Sequence, residues 1–411
     1  MQNTSLGFHT FAFFQKANSE EFSLLTGDFI KYANNNSEMK RFPIENQKGK
    51  IGWKYVYENS KGIQWLLLSR NLNAGFTVQG VMAIINPKVM IEGNYIRAAQ
   101  ASDLAIVEEI FNKEAAKISP ILSSFGASSL NRADPCLNID LKELGLPCSS
   151  KQMMELIKRA DIPKHYKERK TYNEKLHRKT TDKNSFYLES KSTVINFYRK
   201  YPQQTIKHPN YLHREDSVHV IRLEVQCKYA KLYALSKENR HKSKFYEFSN
   251  DISAEDIYER IFDDNHNPSI PLDVILSDEI SKEIVSKHFY KIVRKGDYFT
   301  LDGARDIVES YNFRRDKEER LIYALEQVNK ARGIADAKSK MSGLDLDDFK
   351  RSLRDLDDIL VNPVTIPRGW NIKYIPNLLR AYHNAVYDEQ LVSTSEYLAL
   401  KRIDDFLCGE I

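Results

Sequence analysis

The sequence lacks several features that would place it in a well-defined class. No apolar run reaches the ~18 residues that a membrane span needs, and the first residues, Met1-Gln2-Asn3, lack the basic start of a secretory signal. The four cysteines show no Cys-x-x-Cys spacing, which argues against a disulfide framework and against a zinc ribbon. We therefore expect a soluble protein of the cytoplasm with no membrane partner.

Motifs for nucleotide-driven and histidine-based chemistry are absent as well. No Gly-x-x-x-x-Gly-Lys-Ser/Thr loop occurs, so a helicase driven by nucleoside triphosphates is not expected. The ten histidines form no His-x-His or His-Glu-x-x-His pair. Any metal site should therefore depend mainly on carboxylates.

The composition is that of a globular chain, with 42% apolar and 11% aromatic residues among 411, enough for two or three domains. Strand-like runs dominate the first 100 residues, followed by a helix at residues 102–118, a strand from about residue 129, a helix opened by a Ser149 capping box, a hairpin and a further strand. This order predicts an α+β fold in which an antiparallel sheet is backed by helices.

Beyond residue 228 the chain reads as mainly helical. Helical spacing occurs at residues 253–262, 278–294, 301–310, 317–332 and 346–360. We expect three regions, which are residues 1–235 with the central sheet, residues 236–335 with mainly helices, and a helical C-terminal region at residues 344–411. Residues 333–343 would link the last two, and the C-terminal region could bind DNA or a partner.

Three predicted strands carry polar side chains on one face. The period of two places Asn196, Tyr198 and Lys200 together on the strand at residues 193–200. The same period gives the strand at residues 218–228 a polar face formed by Arg222, Glu224, Gln226 and Lys228. The polar face of the strand at residues 129–140 is formed by Arg132, Asp134, Asn138 and Asp140. Pro135 indicates an edge strand or a bulge. A solvated sheet face explains any one of these patterns, so only their combination points to a site.

Positive charge is concentrated next to the candidate tyrosine. Residues 151–200 contain 14 Lys and Arg but only 6 Asp and Glu, although the whole chain has a net charge of only +5. Such a window, with interleaved aromatic residues, suits a polyanion such as DNA. A solvated basic surface would show the same charge. The candidate contacts are Lys164, Lys167, Arg169, Lys170 and Lys179.

Four segments, in this order, resemble the phage and plasmid replication proteins of the filamentous-phage gene II/X family, which are rolling-circle initiators that nick double-stranded phage DNA. Residues 131–134 are similar to the Arg-x-Asp strand of that family, residues 193–200 to its Tyr-x-Lys strand and residues 221–225 to its Arg-x-Glu strand, and residues 86–94 are similar to a segment that precedes them. The resemblance covers about residues 80 to 230. It implies a nickase fold like that of relaxases and Rep proteins for the N-terminal half.

The residues themselves suit the chemistry that the resemblance implies. Tyr198 could attack a phosphodiester and conserve its bond energy as a phosphotyrosine. Lys200 on the same face could lower the tyrosine pKa, which is normally near 10, or offset phosphate charge. Asp134 and Glu224 could hold Mg²⁺ or Mn²⁺, which prefer carboxylate oxygens. Arg222 would be either a DNA phosphate contact or a structural ion-pair partner.

The sequence thus predicts a rolling-circle replication initiator that nicks one strand at a double-stranded origin, forms a 5′-phosphotyrosine, frees a 3′-OH and later rejoins the strand. Its partners would be double-stranded and single-stranded DNA and a host helicase and polymerase, in the bacterial host of a phage or plasmid. Two alternatives stay open: an origin-binding initiator without catalysis, and a mobilisation relaxase with the same chemistry. Tyr187 is the next candidate if Tyr198 is not the nucleophile.

Overall fold

The computed structural model describes residues 3–44, 50–57, 61–71, 77–173, 178–239, 242, 270–387 and 393–409. Its strands are β1 (Ser5–Ala17), β2 (Met39–Ile44), β3 (Lys50–Tyr57), β4 (Ile63–Asn71), β5 (Thr77–Ile85), β6 (Ser129–Asp140), β7 (Lys167–Glu168), β8 (Thr171–Asn173), β9 (Arg178–Thr180), β10 (Ser185–Glu189), β11 (Thr193–Arg199), β12 (Val220–Lys228), β13 (Tyr298–Phe299) and β14 (Tyr374–Ile375).

Its helices are α1 (Ser19–Asn35), α2 (Pro87–Glu92), α3 (Leu104–Ile118), α4 (Ser150–Ile157), α5 (Lys200–Lys207), α6 (Tyr229–Asn239), α7 (Leu272–Ile275), α8 (Asp278–Ile292), α9 (Leu301–Ser310), α10 (Arg315–Ala331), α11 (Ile334–Ser339), α12 (Gly343–Asp358), α13 (Leu378–Tyr387) and α14 (Thr394–Cys408). The helix expected at residues 253–262 lies outside the described residues. Among the helices that are described, none has both the length and the apolarity that a membrane span requires.

Ten of the described strands form one antiparallel sheet in the order β2-β3-β4-β5-β1-β6-β12-β11-β10-β7. β1 and β6 pair at its centre, although more than 100 residues separate them in the chain. They join the N-terminal strands β2 to β5 to the hairpin β10–β11 and to β12. The predicted mixture of helices with an antiparallel sheet is confirmed.

Helices of the N-terminal half cover one face of the sheet. The ring centroid of Phe29 in α1 lies 5.0 Å from that of Tyr55 and 5.8 Å from that of Trp65. Phe111 of α3 lies 5.4 Å from Trp65 and 6.3 Å from Phe13. All five rings are buried, so this face is the core side of the sheet.

The C-terminal half extends the same layer across the rest of the sheet. Phe289 of α8 lies 6.2 Å from Phe197 of β11, measured between ring centroids, and the Ser281 hydroxyl donates a hydrogen bond of 2.8 Å to the Gly7 carbonyl. The expected linker at residues 333–343 contains α11, whose Ile334 is fully buried. The helices beyond α8 also build a second apolar cluster among α9, α10, α12 and α14. The boundaries at residues 235 and 344 stay a prediction.

We expect Phe289→Ala to destabilise the protein by about 3–5 kcal/mol, because it leaves a cavity between α8 and the sheet. Phe42→Ala, at a ring that is 48% exposed, is the matched control and should change stability by less than about 1 kcal/mol. Denaturant unfolding of the full chain followed by circular dichroism measures both. Equal effects of the two substitutions would show that α8 does not share a core with the sheet.

Candidate active site

His9 reaches the site through a bulge in β1. Phe8 pairs with Pro135 and Thr10 pairs with Asp134, so two steps along β1 oppose one step along β6, and His9 is the extra residue. Proline cannot donate to the hydrogen-bond ladder and is tolerated within sheets at bulges. The sequence left an edge or a bulge open at this proline, and the structure has a bulge beside a central strand. Because of the bulge, His9 and Thr10 both lie on the face that lines the site.

Glu224 contacts both His9 and Tyr198. Its Oε2 lies 3.2 Å from His9 Nδ1 and accepts a hydrogen bond of 3.1 Å from the Tyr198 hydroxyl. Burial by itself raises the pKa of the Glu224 carboxyl, but the neighbouring His9 and Arg222 outweigh burial and hold that pKa well below its usual value. The Tyr198 hydroxyl therefore faces a carboxylate that is ionised at neutral pH.

Asp134 is fully buried and paired with one arginine. Arg132 Nε donates to both carboxylate oxygens, at 2.8 and 3.0 Å. The side-chain oxygen of Gln226, when the amide is oriented toward Arg132, accepts from the same guanidinium. Burial raises the pKa of Asp134 to about 7, against the opposing charge of Arg132. This carboxyl can therefore gain or lose a proton close to neutral pH.

Arg222 lies beneath the site and is completely buried. Its Nε donates a 2.5 Å hydrogen bond to Asn138 Oδ1, and its Nη2 donates to the Ile96 carbonyl. Asn94 fixes the loop that supplies this carbonyl, because its Oδ1 accepts from the backbone N–H of Ile96 at 2.7 Å. The predicted direct contact of Arg222 with DNA does not fit this burial, and the guanidinium is a structural support.

Lys200 differs from its expected position. β11 ends at Arg199, and Lys200 begins α5 with its Nζ 5.7 Å from the centroid of the Tyr198 ring. Burial, and then the charge of Arg222, lower the pKa of Lys200 well below its usual value. Burial also raises the pKa of Tyr198 well above 10, and Arg222 is the first group that opposes this shift. Lys200 therefore carries its charge less readily than the sequence alone suggests.

Three side chains fit a divalent cation. His9, Asp134 and Glu224 each offer one donor atom, and these atoms lie within 4.8 Å of one another. Bonds of about 2.0–2.2 Å to one ion would place the three donors at most roughly 4 Å from one another, so the side chains would move closer together to bind it. Burial lowers the pKa of His9 to about 3, so its imidazole is neutral and can coordinate. The donor set is thus one imidazole nitrogen and two carboxylates.

The site opens into a cleft of about 590 Å³. Strands of both halves of the sheet line it, together with α5. Buried oxygens of Asn196 and Gln203 in its wall have no hydrogen-bond partner among the described residues. The residues along its walls and rim include Thr10, Gln64, Ile84, Tyr187, Ile206 and Lys207. A cleft lined by unpaired polar oxygens and cationic side chains suits an extended polar ligand.

The basic window borders this cleft at one point. Lys164, Lys167, Arg169 and Lys170 are exposed, and β7 lies at the edge of the sheet beside β10. Arg169 lines the cleft, with its guanidinium carbon 5.1 Å from the centroid of the Tyr187 ring. The side chain of Lys179 lies outside the described residues.

His9 was not predicted from the sequence, and no separate role was predicted for Arg132. His9 is the only ionisable side chain between Leu6 and Phe14 of an apolar strand. A buried titratable group in such a run is the signal that could have identified it. Of the predicted residues, the structure brings Tyr198, Glu224 and Asp134 to one place.

Comparisons with known proteins leave the family open. No protein-family model matches the chain, and no curated protein matches it. Among solved structures, the chain is similar to the rolling circle replication initiator protein from Geobacillus stearothermophilus, with a TM-score of 0.26 and 11% identity, covering 56% of this chain and 78% of that one. A similarity of this size shows neither a shared family nor a shared activity.

We expect Asp134→Asn to stabilise the metal-free protein at pH 8. The raised pKa means that the folded state holds the Asp134 proton more tightly than the unfolded state, so this residue makes stability fall as pH rises from about 4 to 7. Asn does not titrate, so the variant does not lose this stability. The difference in the free energy of unfolding is roughly 1–4 kcal/mol above pH 7. Denaturant unfolding at pH 5 and pH 8 measures it.

The control for this prediction is Asp316→Asn, at a side chain that is 78% exposed, and it should show no such pH dependence. Mn²⁺ should raise the unfolding temperature of the parent and of the control but not that of Asp134→Asn. A variant less stable than the parent at pH 8 would show that the pairing with Arg132 outweighs burial.

Proposed function

We propose that this protein cuts and rejoins one DNA strand through Tyr198, as an initiator of rolling-circle replication does. The observation that carries the proposal is the 3.1 Å hydrogen bond between the Tyr198 hydroxyl and Glu224, a residue that also belongs to the group of three possible metal ligands. A nucleophile beside a cation site is an arrangement that supports phosphoryl transfer at a DNA backbone.

The step conserves bond energy and needs no nucleotide. The Tyr198 oxygen bonds to the scissile phosphorus, and the bond from phosphorus to the 3′ oxygen breaks. The proton lost from the phenol is balanced by the proton gained by the leaving 3′ oxygen. The 5′ phosphate stays on Tyr198, and attack by a 3′-OH reverses the step and rejoins the strand.

The surrounding residues prepare Tyr198 for this attack. The ionised Glu224 orients the hydroxyl, although a carboxylate with a lowered pKa is a weak proton acceptor. The charge of Arg222 favours the phenolate, while burial opposes it. Lys200, with its lowered pKa beside the ring, is a group that can take up a proton near the phenol.

His9, Asp134 and Glu224 would hold the cation. A bound divalent ion supplies polarisation of the scissile phosphate and offsets its charge. Mg²⁺ prefers oxygen donors alone, whereas Mn²⁺ also accepts imidazole well. The sequence left Mg²⁺ and Mn²⁺ as alternatives. The presence of His9 favours Mn²⁺.

A binding-only initiator is the second candidate function. It would need the basic window but not the pairing of Tyr198 with Glu224. The hydroxyl of a buried tyrosine aimed at a cation-binding carboxylate is unexplained in such a protein, so we favour the enzyme. A mobilisation relaxase would use the same step in another biological setting. We also propose that the protein belongs to the gene II/X family and acts at a replication origin. Its partners would be a host helicase and a polymerase.

We expect Tyr198→Phe to lose all covalent attachment to DNA and to keep DNA binding, because only the hydroxyl is removed. A random-sequence pool of single-stranded oligonucleotides, labelled at the 3′ end, is incubated with Mn²⁺ and run on a denaturing gel, where an adduct moves with the protein. Excess EDTA should abolish the adduct of the parent. Tyr187→Phe, also in the cleft, is the matched control and should react normally. An adduct with Tyr198→Phe would identify another nucleophile.

We expect the triple variant Lys167→Ala, Arg169→Ala and Lys170→Ala to bind all duplexes more weakly, because phosphate contacts carry no sequence information. The plot of log affinity against log salt should become shallower by up to about 2.7 units, at about 0.9 for each phosphate contact. Removal of three charges from α10 and its N-cap by Arg314→Ala, Arg315→Ala and Lys317→Ala is the matched control. The same slope in both triple variants would make the window a solvated surface.

A further inference from the structure

Strands β1 to β5 contain no acidic residue. They include six Lys and Arg but not one Asp or Glu, although the whole chain has 56 Asp and Glu among 411 residues. Burial against the core explains the absence of Asp and Glu at every second position only. Charged residues are tolerated on the other face of a sheet. The absence of carboxylates on the second face therefore needs a separate reason.

In the part of the chain that the structure describes, that second face is partly exposed and carries a row of four apolar side chains and one lysine. Cross-strand pairing runs from Phe42 to Lys54, then to Leu66, Met82 and Phe14, so one residue of each strand stands directly beside the next. At a strand spacing of about 4.8 Å the row is roughly 19 Å long. Phe42 is 48% exposed, and the other four are partly exposed. α1 and α3 pack on the opposite face, against Tyr55 and Trp65 among others.

A glycine fixes how Phe14 presents its ring. A Cβ built at Gly80 would lie 2.7 Å from Phe14 Cζ, so the ring occupies the space that a side chain at this position would take. Phe14 therefore lies across its neighbouring strand. Lys16 pairs with Gly80 and, like Lys54, belongs to the same face. The ring of Phe14 thus lies on the same face as Lys16 and Lys54.

This face leads directly into the active-site cleft. The row next to the first one contains Val56, Gln64 and Ile84, again as direct cross-strand neighbours. Gln64 and Ile84 line the cleft that holds Tyr198. A ligand lying on this second face would thus continue to the nucleophile.

We propose that this second face of β1 to β5, here called the platform, binds the unpaired DNA strand that leads to or from the scissile phosphate, with bases on Phe14 and Phe42 and phosphates near Lys16 and Lys54. Sequence-tolerant binding of single strands uses this combination of aromatic rings and cationic side chains. A duplex hides its base faces and cannot stack in this way. The proposal rests on the function proposed above, because it assigns the substrate strand of the same site.

A second copy of the chain is a poorer occupant of the platform. In a two-fold symmetric contact the same surface meets itself, which would bring the lysines of one copy against those of the other. Like charges facing each other across an interface oppose association. The strands themselves supply no carboxylate that could neutralise these lysines. Polyanionic DNA has the complementary charge.

The test uses the full chain with Tyr198→Phe, so that binding is measured without reaction. Fluorescence anisotropy gives the dissociation constant for a long single-stranded oligonucleotide and for a short one that fills only the cleft. Phe14→Ala should raise the constant for the long oligonucleotide by about 5- to 100-fold, as expected from the loss of one stacked base, and should leave the short one unchanged. Phe14→Tyr should restore the parent value. Lys54→Gln should make the salt slope shallower by about 0.7.

Tyr397→Ala, at a ring that is 55% exposed on α14, is the matched control and should bind both oligonucleotides normally. Denaturant unfolding confirms that each variant is folded. Parent-like binding of the long oligonucleotide by Phe14→Ala would overturn the proposal. If Phe14→Ala instead altered only the sedimentation of the protein, the face would be an interface between copies.

The outcomes separate this inference from the function on which it rests. If the parent forms the covalent adduct but Phe14→Ala binds the long oligonucleotide normally, only the platform is wrong. If Phe14→Ala weakens that binding but the parent never forms an adduct, the platform stands and the proposed chemistry fails.

Discussion

The site depends on a backbone constraint at the centre of the sheet, where Pro135 lies in a strand with partners on both sides. Because it has no N–H, the ladder cannot continue regularly, and β1 bulges opposite it. Leu6 and Phe8 before the bulge and Phe11 and Phe13 after it are buried in the core, so the bulge lets two consecutive residues, His9 and Thr10, lie on the face of the site. The possible metal ligands thus come from three adjacent strands, β1, β6 and β12.

The environment of the site shifts the pKa values of its two carboxyl groups in opposite directions. Asp134 is held above its usual pKa by burial, whereas Glu224 is held below its usual pKa by the surrounding cationic groups. Burial also disfavours both the phenolate of Tyr198 and the ammonium of Lys200. Buried ionisable groups of this kind cost stability, and they are frequent at functional sites. The apolar layer beneath, with Phe289 of α8 as part of it, supplies the compensating packing.

Much of this arrangement follows from the sequence because antiparallel neighbours keep a strict period of two. The alternation of β6, β11 and β12 was enough to predict that Asp134, Tyr198 and Glu224 face the same way. It could not predict His9, because a bulge breaks the alternation and the partner strand is more than 100 residues away. It also misplaced Lys200, since the strand ends one residue earlier. It left open whether Arg222 contacts DNA or supports the structure, and the cover of the loop around Ile96 favours support. The interior helix α11 replaced an expected linker because its apolar residues pack on the rest of the chain.

The central claim of the proposal is that His9, at the bulge of β1, binds the metal ion beside Tyr198. Pulsed electron paramagnetic resonance of Mn²⁺ bound to protein labelled with ¹⁵N-histidine tests this directly, because it detects a histidine nitrogen bonded to the ion. We predict a nitrogen coupling in the parent and in His213→Gln, whose imidazole is 69% exposed, and loss of the coupling in His9→Gln. A coupling that persists in His9→Gln, or that is absent from the parent while Mn²⁺ is bound, would contradict the account.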